Sequence, residues 1–215
     1  MTTTLVIVSI VVITALVFDF TNGFHDSANA MATSVATGAL SPRVAVFIAS
    51  VLNVVGASLS TEVAKTISSG IVTDSLVTPS MVFAALVGAI LWNLATWLLG
   101  LPSSSSHALF GGLIGAVLVK AGMSGVHPGV IVSKIILPAL VAPVVAGSAA
   151  ALATWMAYRI TRNTAHHAQG VFKHAQSVSA ALVALAHGTS DGQKTMGIIT
   201  LVFVAAGFQA SGTSP

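Results

Sequence analysis

The sequence contains no cysteine, which excludes disulfides, zinc–thiolate sites and thiol nucleophiles. Charge is nearly as scarce. Eight Lys and Arg and five Asp and Glu make charged residues 6% of the 215, against roughly 25% in a soluble globular domain. A water-soluble chain of this size needs far more charge to cover its surface. The scarcity is also uneven: no Asp, Glu, Lys or Arg precedes Asp19, and none lies between Asp74 and Lys120. The net charge of +3 comes from basic residues scattered singly. Without a basic stripe, nucleic acid is not an expected partner.

What fills the chain instead is apolar: 55% of residues are hydrophobic and the mean hydropathy is +0.95. The uncharged interval from Asp74 to Lys120 has room for about two membrane crossings at ~20 residues each. Further apolar stretches cover 44–61, 135–158, 175–186 and 195–208. Val, Ile, Leu and Ala lie on all sides of these segments, as helices among lipid or other helices require. The first stretch has no basic residue ahead of its apolar run, so it reads as a membrane helix rather than a signal peptide. The one distinctly polar connection, 159–174, carries Arg159, Arg162 and Lys173 and no acid. The positive-inside tendency places it in the cytoplasm. It divides the chain into two unequal membrane parts, 1–158 and 175–215.

The two parts share a local likeness. Asn22-Gly23-Phe24-His25-Asp26-Ser27-Ala28-Asn29-Ala30-Met31 aligns with His187-Gly188-Thr189-Ser190-Asp191-Gly192-Gln193-Lys194-Thr195-Met196. Gly, Asp and Met coincide, and in both segments an acid interrupts a hydrophobic run. Paired interruptions of this kind point to a transporter built from internal repeats, with its site at their interface.

Asp26 and Asp191 are the first candidates. A carboxylate inside a membrane segment is costly, so it faces the protein interior or a water-filled cavity. Their Asn, Gln, Ser, Thr and Gly neighbours supply oxygen ligands and let the backbone leave helical geometry, which suits Na⁺ or a proton relay. The plainer alternative is a solvated carboxylate at a helix end, and that is the expectation for Asp19, Asp74 and Glu62. Leu101-Pro102-Ser103-Ser104-Ser105-Ser106-His107 reads as a helix start. Free N–H groups and the dipole there favour an anion. Equally, the serines can simply cap the helix while Gly111, Gly112 and Gly115 pack it closely. The following apolar run to Val119 is short for a full span and suggests a re-entrant hairpin. Lys194 either balances Asp191 or an anionic substrate, or snorkels to the membrane surface. His25, His107 and His187 recur beside the polar motifs as proton shuttles or as hydrogen-bonding residues of the fold. His166, His167 and His174, in the polar connection, are expected to be solvated. Ser106 and His107 do not make a nucleophile–base pair, because adjacent helical residues point apart. No hydrolase, phosphate-loop or metalloprotease motif is present, so the chain is not expected to be an enzyme.

These segments resemble the inorganic phosphate transporter family. Gly23 to Thr33 matches its first signature, Gly-x-Asn/His-Asp-x-Ala-Asn-x-x-x-Thr, and His187 to Gly197 is similar to its second. Pro102 to His107 resembles its Pro-x-Ser-Ser/Thr-Ser/Thr-His hairpin; Asn53 to Ala57 and Glu62 to Thr66 resemble its second-helix region. The resemblance implies an all-α integral membrane fold of inverted-topology repeats with broken helices and a re-entrant hairpin (101–120), lying in the cell membrane. It also implies transport of inorganic phosphate coupled to H⁺ or Na⁺, in bacterial members often as a divalent metal–phosphate complex, with no covalent cofactor. By the same resemblance Ser104, Ser105, Ser106, Asp26, Asp191, Gln193, Lys194 and Thr195 contact phosphate, while Asp26, Asn29, His25, Asp191 and Ser190 serve the coupling cation. Phe24-His25 resembles the bacterial, proton-coupled branch. Ser190 stands where the family usually has Asn, which implies retuned cation binding.

Length is the other departure. Asp26 to Pro102 spans 76 positions (102 − 26), so the same offset from Asp191 places a second hairpin near position 267, beyond Pro215. The expectation is an incomplete second repeat: a fragment, or a chain completed by a second copy or a separate chain. A membrane subunit that only senses phosphate, or a sulfate carrier, are the alternative functions, since a helix N-terminus does not tell tetrahedral anions apart by charge.

Overall fold

Long apolar runs without proline give long helices here. In the computed structural model, α1 (Thr2–Ala36) and α8 (Gln169–Ala205) have 35 and 37 residues. At 1.5 Å per residue each is ~50–55 Å long, well beyond the ~30 Å hydrocarbon core. The description covers residues 2–67, 71–73, 76–101, 103–162 and 169–210, without the side chains of residues 24, 25, 27–29 and 169. Asp74, Pro102, His166, His167 and the side chains of His25 and Asn29 therefore lie outside the described residues.

α1 and α8 pack antiparallel. Thr37 Oγ1 donates to Gln176 Oε1 at 2.9 Å near one end, and Asn22 Nδ2 donates to Asp191 Oδ2 at 2.8 Å midway. α2 (Pro42–Ser58), started by a proline in its first turn, lies along α8. Small residues permit that approach: a Cβ on Gly188 would collide with the Asn53 main chain, and one on Gly56 with the Leu185 carbonyl. The short α3 (Glu62–Lys65) then turns the chain under α8.

α4 (Pro79–Leu98) and α5 (Ser105–Ala121) form a helical hairpin. Gly100, at φ +65°, ends α4 with paired bonds from Gly100 N to Trp97 O at 3.0 Å and from Leu101 N to Thr96 O at 2.8 Å. This is the Schellman arrangement that a glycine past a helix end allows. At the stem, Val72 bridges Val126, and Thr73 N–Gly125 O and His127 N–Ile71 O bonds, both 3.0 Å, hold entry and exit together. The stem shares one apolar core with Val8 and Val11 of α1 and with Leu201 and Val202 of α8. The tip, at Gly100, Leu101, Ser103 and Ser104, is directed at the middle of both long helices.

After the stem, α6 (Pro128–Ile131), a π-helical segment Val132–Ile136 and α7 (Leu137–Thr161) form one rod. The stretch Pro128–Thr161 is 34 residues long, and an apolar 18-residue window within it is only 6% buried within the chain. Among the described residues, four stretches are long and apolar enough to cross a membrane: Thr2–Gly23, Pro79–Leu98, Ser105–Gly125 and Pro128–Thr161. The first is the N-terminal membrane helix, and the next two fill the uncharged interval.

Two expectations need correcting. Neither long helix is broken at its acid: α1 runs on through Asp26 and α8 through Asp191. Asp191 takes its donors from side chains, so the backbone has no need to unwind for it. The regular helix is interrupted instead at 59–61, between α2 and α3. The polar connection is also shorter than 159–174. α7 continues to Thr161 and α8 begins at Gln169, because exposed Lys173 and His174 are compatible with a helix surface.

Candidate functional site

The polar groups of α1, α8 and the hairpin tip meet where the two long helices cross the tip. Positions 19, 22 and 26 are three and four residues apart and so share one face of α1; 187, 191 and 194 do the same on α8. Asp191 Oδ2 collects three groups: Asn22 Nδ2 at 2.8 Å, Lys194 Nζ at 2.8 Å and His187 Nε2 at 3.5 Å. His187 Nε2 also lies 4.0 Å from Asp26 Oδ2. The pattern is reciprocal. Asn22 and His187 hold equivalent places in the two similar segments, and each reaches the aspartate of the other.

Lys194 is 3% exposed and its ammonium also donates to Ser105 Oγ at 3.0 Å. Snorkelling to the surface is thereby excluded. Asp26, His187 and Asp191 offer ligand atoms that all lie within 4.8 Å of one another, close enough to surround a cation. Asp19, expected as a solvated carboxylate, is instead half-buried beside Thr195, within electrostatic reach of Asp191 and Lys194.

The three hairpin serines separate. Ser104 caps α5, its Oγ accepting from His107 N at 3.4 Å. Ser105 is buried and turned toward Lys194. Ser106 faces a cavity of about 600 Å³ that Ser104, His107, Ser190, Glu62 and Lys134 also line. On the other side of the tip, Asn22, Asp26, Asn93, Ser103 and Ser105 enclose a space of about 10 Å³, roughly one water in size. Among the described residues, Asn22 Oδ1 and Asn93 Nδ2 are buried without a partner. A polar guest would satisfy such groups.

Gln193 does not belong to this constellation. Its Oε1 accepts from Val63 N at 3.0 Å and fastens α3 to α8, because two residues beyond Asp191 is roughly 200° around the helix. Asn93 was missed by sequence reasoning, although a lone amide within the apolar α4 was a readable signal.

The chain matches the phosphate transporter family over residues 22–170. It is 55% identical over 199 residues to a probable low-affinity inorganic phosphate transporter of Mycobacterium tuberculosis, covering 92% of this chain and 48% of that one. A protein of the same description from Streptomyces halstedii is 48% identical over 190 residues, covering 86% of this chain and 87% of the relative. The solved structure of a sodium-dependent phosphate transporter superposes with a TM-score of 0.79 at 25% identity, over 98% of this chain and 70% of that chain. The chain thus spans about half the length of the mycobacterial relatives it matches.

Proposed function

The chain belongs to the phosphate transporter family, a family of multi-pass membrane transporters rather than enzymes, and from that premise we propose that it carries inorganic phosphate across the cell membrane with a coupling cation, H⁺ or Na⁺. One observation carries this reading: a buried ammonium, Lys194, held on the hydroxyl of Ser105 in the first turn of α5. The first N–H groups of a helix have no intrahelical acceptor and carry the positive end of its dipole. Adding a desolvated cation and serine hydroxyls supplies donors on several sides of a tetrahedral anion.

Charge explains why a cation accompanies phosphate. Asp191 pairs with the ammonium of Lys194, and Asp19 and Asp26 lie within electrostatic reach of it. Three carboxylates against one ammonium repel a free anion. Phosphate is admitted when protons or Na⁺ offset that excess, or when it arrives as a divalent metal–phosphate complex. In this reading Ser105 and Lys194 bind phosphate, with Ser104 and Ser106 at the mouth of the site. Asp26 and Asp191 take the cation with His187, and Asn29, His25 and Ser190 stand beside them in sequence. Thr195 and Gln193 support the site from behind.

The test is uptake of radiolabelled phosphate by proteoliposomes, with H⁺ and Na⁺ gradients applied separately. Uptake driven by one gradient and lost in Asp26→Asn is the expected result. Phosphate binding by folded protein with no flux under either gradient would reject transport by this chain alone, in favour of sensing or of a transporter completed by a further chain, and sulfate outcompeting phosphate would reject the substrate.

A further inference from the structure

Lys194 sits between two acceptors with different roles. Its Nζ is 2.8 Å from Asp191 Oδ2 and 3.0 Å from Ser105 Oγ, so one ammonium touches both the cation cluster and the hairpin tip where the anion is read. Resting on the transport reading above, we propose that Lys194 is an exchangeable counter-ion coupling the two cargoes: it neutralises Asp191 until phosphate arrives, then turns to phosphate and frees Asp191 to close a cation site with Asp26 and His187.

Three features support the exchange. First, a lysine buried this completely needs an anionic or strongly accepting partner at all times. It can leave Asp191 only when another anion takes its place, and phosphate at Ser105 is such an anion. Second, the cation cluster uses the same oxygen that Lys194 occupies. Asp26, His187 and Asp191 can converge on an ion, but an ion at Asp191 Oδ2 would lie beside an ammonium 2.8 Å from that oxygen. Like charges that close repel strongly in a buried site. Cation binding at Asp191 and the Lys194–Asp191 pair therefore exclude each other. Third, the device is one-sided. Position 29, the counterpart of 194 in the first segment, is the neutral Asn29, so only Asp191 carries a counter-ion on its own helix.

The consequence is linkage: phosphate raises cation affinity and the cation raises phosphate affinity by the same factor. The experiment measures equilibrium binding of radiolabelled inorganic phosphate to the purified full chain in detergent. Na⁺ is titrated against choline at fixed pH. In a second arm protons are supplied by lowering the pH in choline, where Asp19, Asp26, His187, Asp191, the cavity-lining Glu62 and His107 and phosphate itself can take them. Each pH is therefore compared with Lys194→Gln, which shares all of these but the exchange. In the wild type, one cation should tighten phosphate binding by about 5- to 150-fold, the usual span of such couplings. Lys194→Gln should bind phosphate more weakly and lose the cation dependence. Asp191→Asn releases Lys194, so its phosphate affinity without cation should exceed that of the wild type and no longer respond to cation. The opposite directions of the two variants are the signature, because a merely structural ion pair would weaken binding in both. Weakening in both, or wild-type cation dependence in Lys194→Gln, overturns the exchange. So does a wild type whose phosphate binding ignores both cations, which leaves phosphate recognition itself standing. Should Lys194→Gln fail to give monodisperse protein, the sign of the Asp191→Asn change decides. A wild type that binds no phosphate at all sinks the transport reading instead.

Discussion

Ser104, Ser105 and Ser106 are neighbours in sequence and enter three different surroundings: a helix cap, a buried bond to an ammonium, and an open cavity. A run of hydroxyls signals a helix start but not which one is turned inward, since that depends on where α8 crosses the tip. The two aspartates and Lys194 were legible because a charge in an apolar run has few places to go. Asp19 was underrated because its local context reads as a helix end, although its spacing from Asn22 and Asp26 already placed it on their face. Gln193 was read as a motif neighbour, and its Oε1 is instead engaged by Val63 N of α3. Ser105→Ala should raise the KM for phosphate uptake by at least about fivefold, because removing an acceptor from a buried charged donor costs ~1–3 kcal/mol. Ser106→Ala, whose hydroxyl faces the roomier cavity, should stay within about twofold of wild type, an effect no larger than ~0.5 kcal/mol. Initial-rate uptake kinetics separate the two, and equal effects would contradict the division of the serines.

At the scale of elements, pairing was easier to read than continuity. The uncharged interval gave two helices and the serine run gave the start of the second, because both are local signals. The re-entrant hairpin read at 101–120 is instead one continuous helix, α5, and the hairpin is the α4–α5 pair. The uninterrupted course of α1 and α8 was not legible. Whether a buried carboxylate unwinds its own helix depends on donors from another helix, here Asn22 on α1 serving Asp191 on α8. The hairpin makes a prediction about glycines that look alike in sequence. A Cβ on Gly112 would stand 2.5 Å from the Ala85 carbonyl oxygen, whereas one on Gly111 would meet nothing within 4 Å. Gly112→Ala must push α4 and α5 apart, at a cost of ~1–3 kcal/mol. Gly111→Ala gains helix propensity of up to ~1 kcal/mol. Thermal unfolding followed by size-exclusion chromatography should show the midpoint falling for the first and level or rising for the second. Two falling midpoints would place the α4–α5 contact elsewhere.

For the whole molecule, the fold gathers charges that the sequence scatters. Arg43 follows the end of α1, Arg159 and Arg162 lie at the end of α7, and Lys173 lies in the first turns of α8, with its Nζ 3.8 Å from a Cβ placed on Gly38. Four of the eight basic residues and, among the described residues, no acid thus mark one end, and the Trp155 ring stacks under Arg159 at 5.4 Å, as aromatic residues do at a membrane surface. The hairpin stem belongs to the other end, where it shares the core with Val8, Val11, Leu201 and Val202. On the positive-inside tendency we propose an orientation: the Arg- and Lys-rich end in the cytoplasm, the stem outward, and the tip entering toward the middle from outside. With no native cysteine, single substitutions read this out without background. Gly170→Cys, at the start of α8, should react with a membrane-impermeant maleimide in inside-out vesicles only. Ser124→Cys, in the exposed turn beside the stem, should react in right-side-out vesicles only. The reverse pattern would invert the molecule, while labelling of both from one side would mean that the stem and the basic end share a membrane face, which the antiparallel packing of α1 on α8 does not allow.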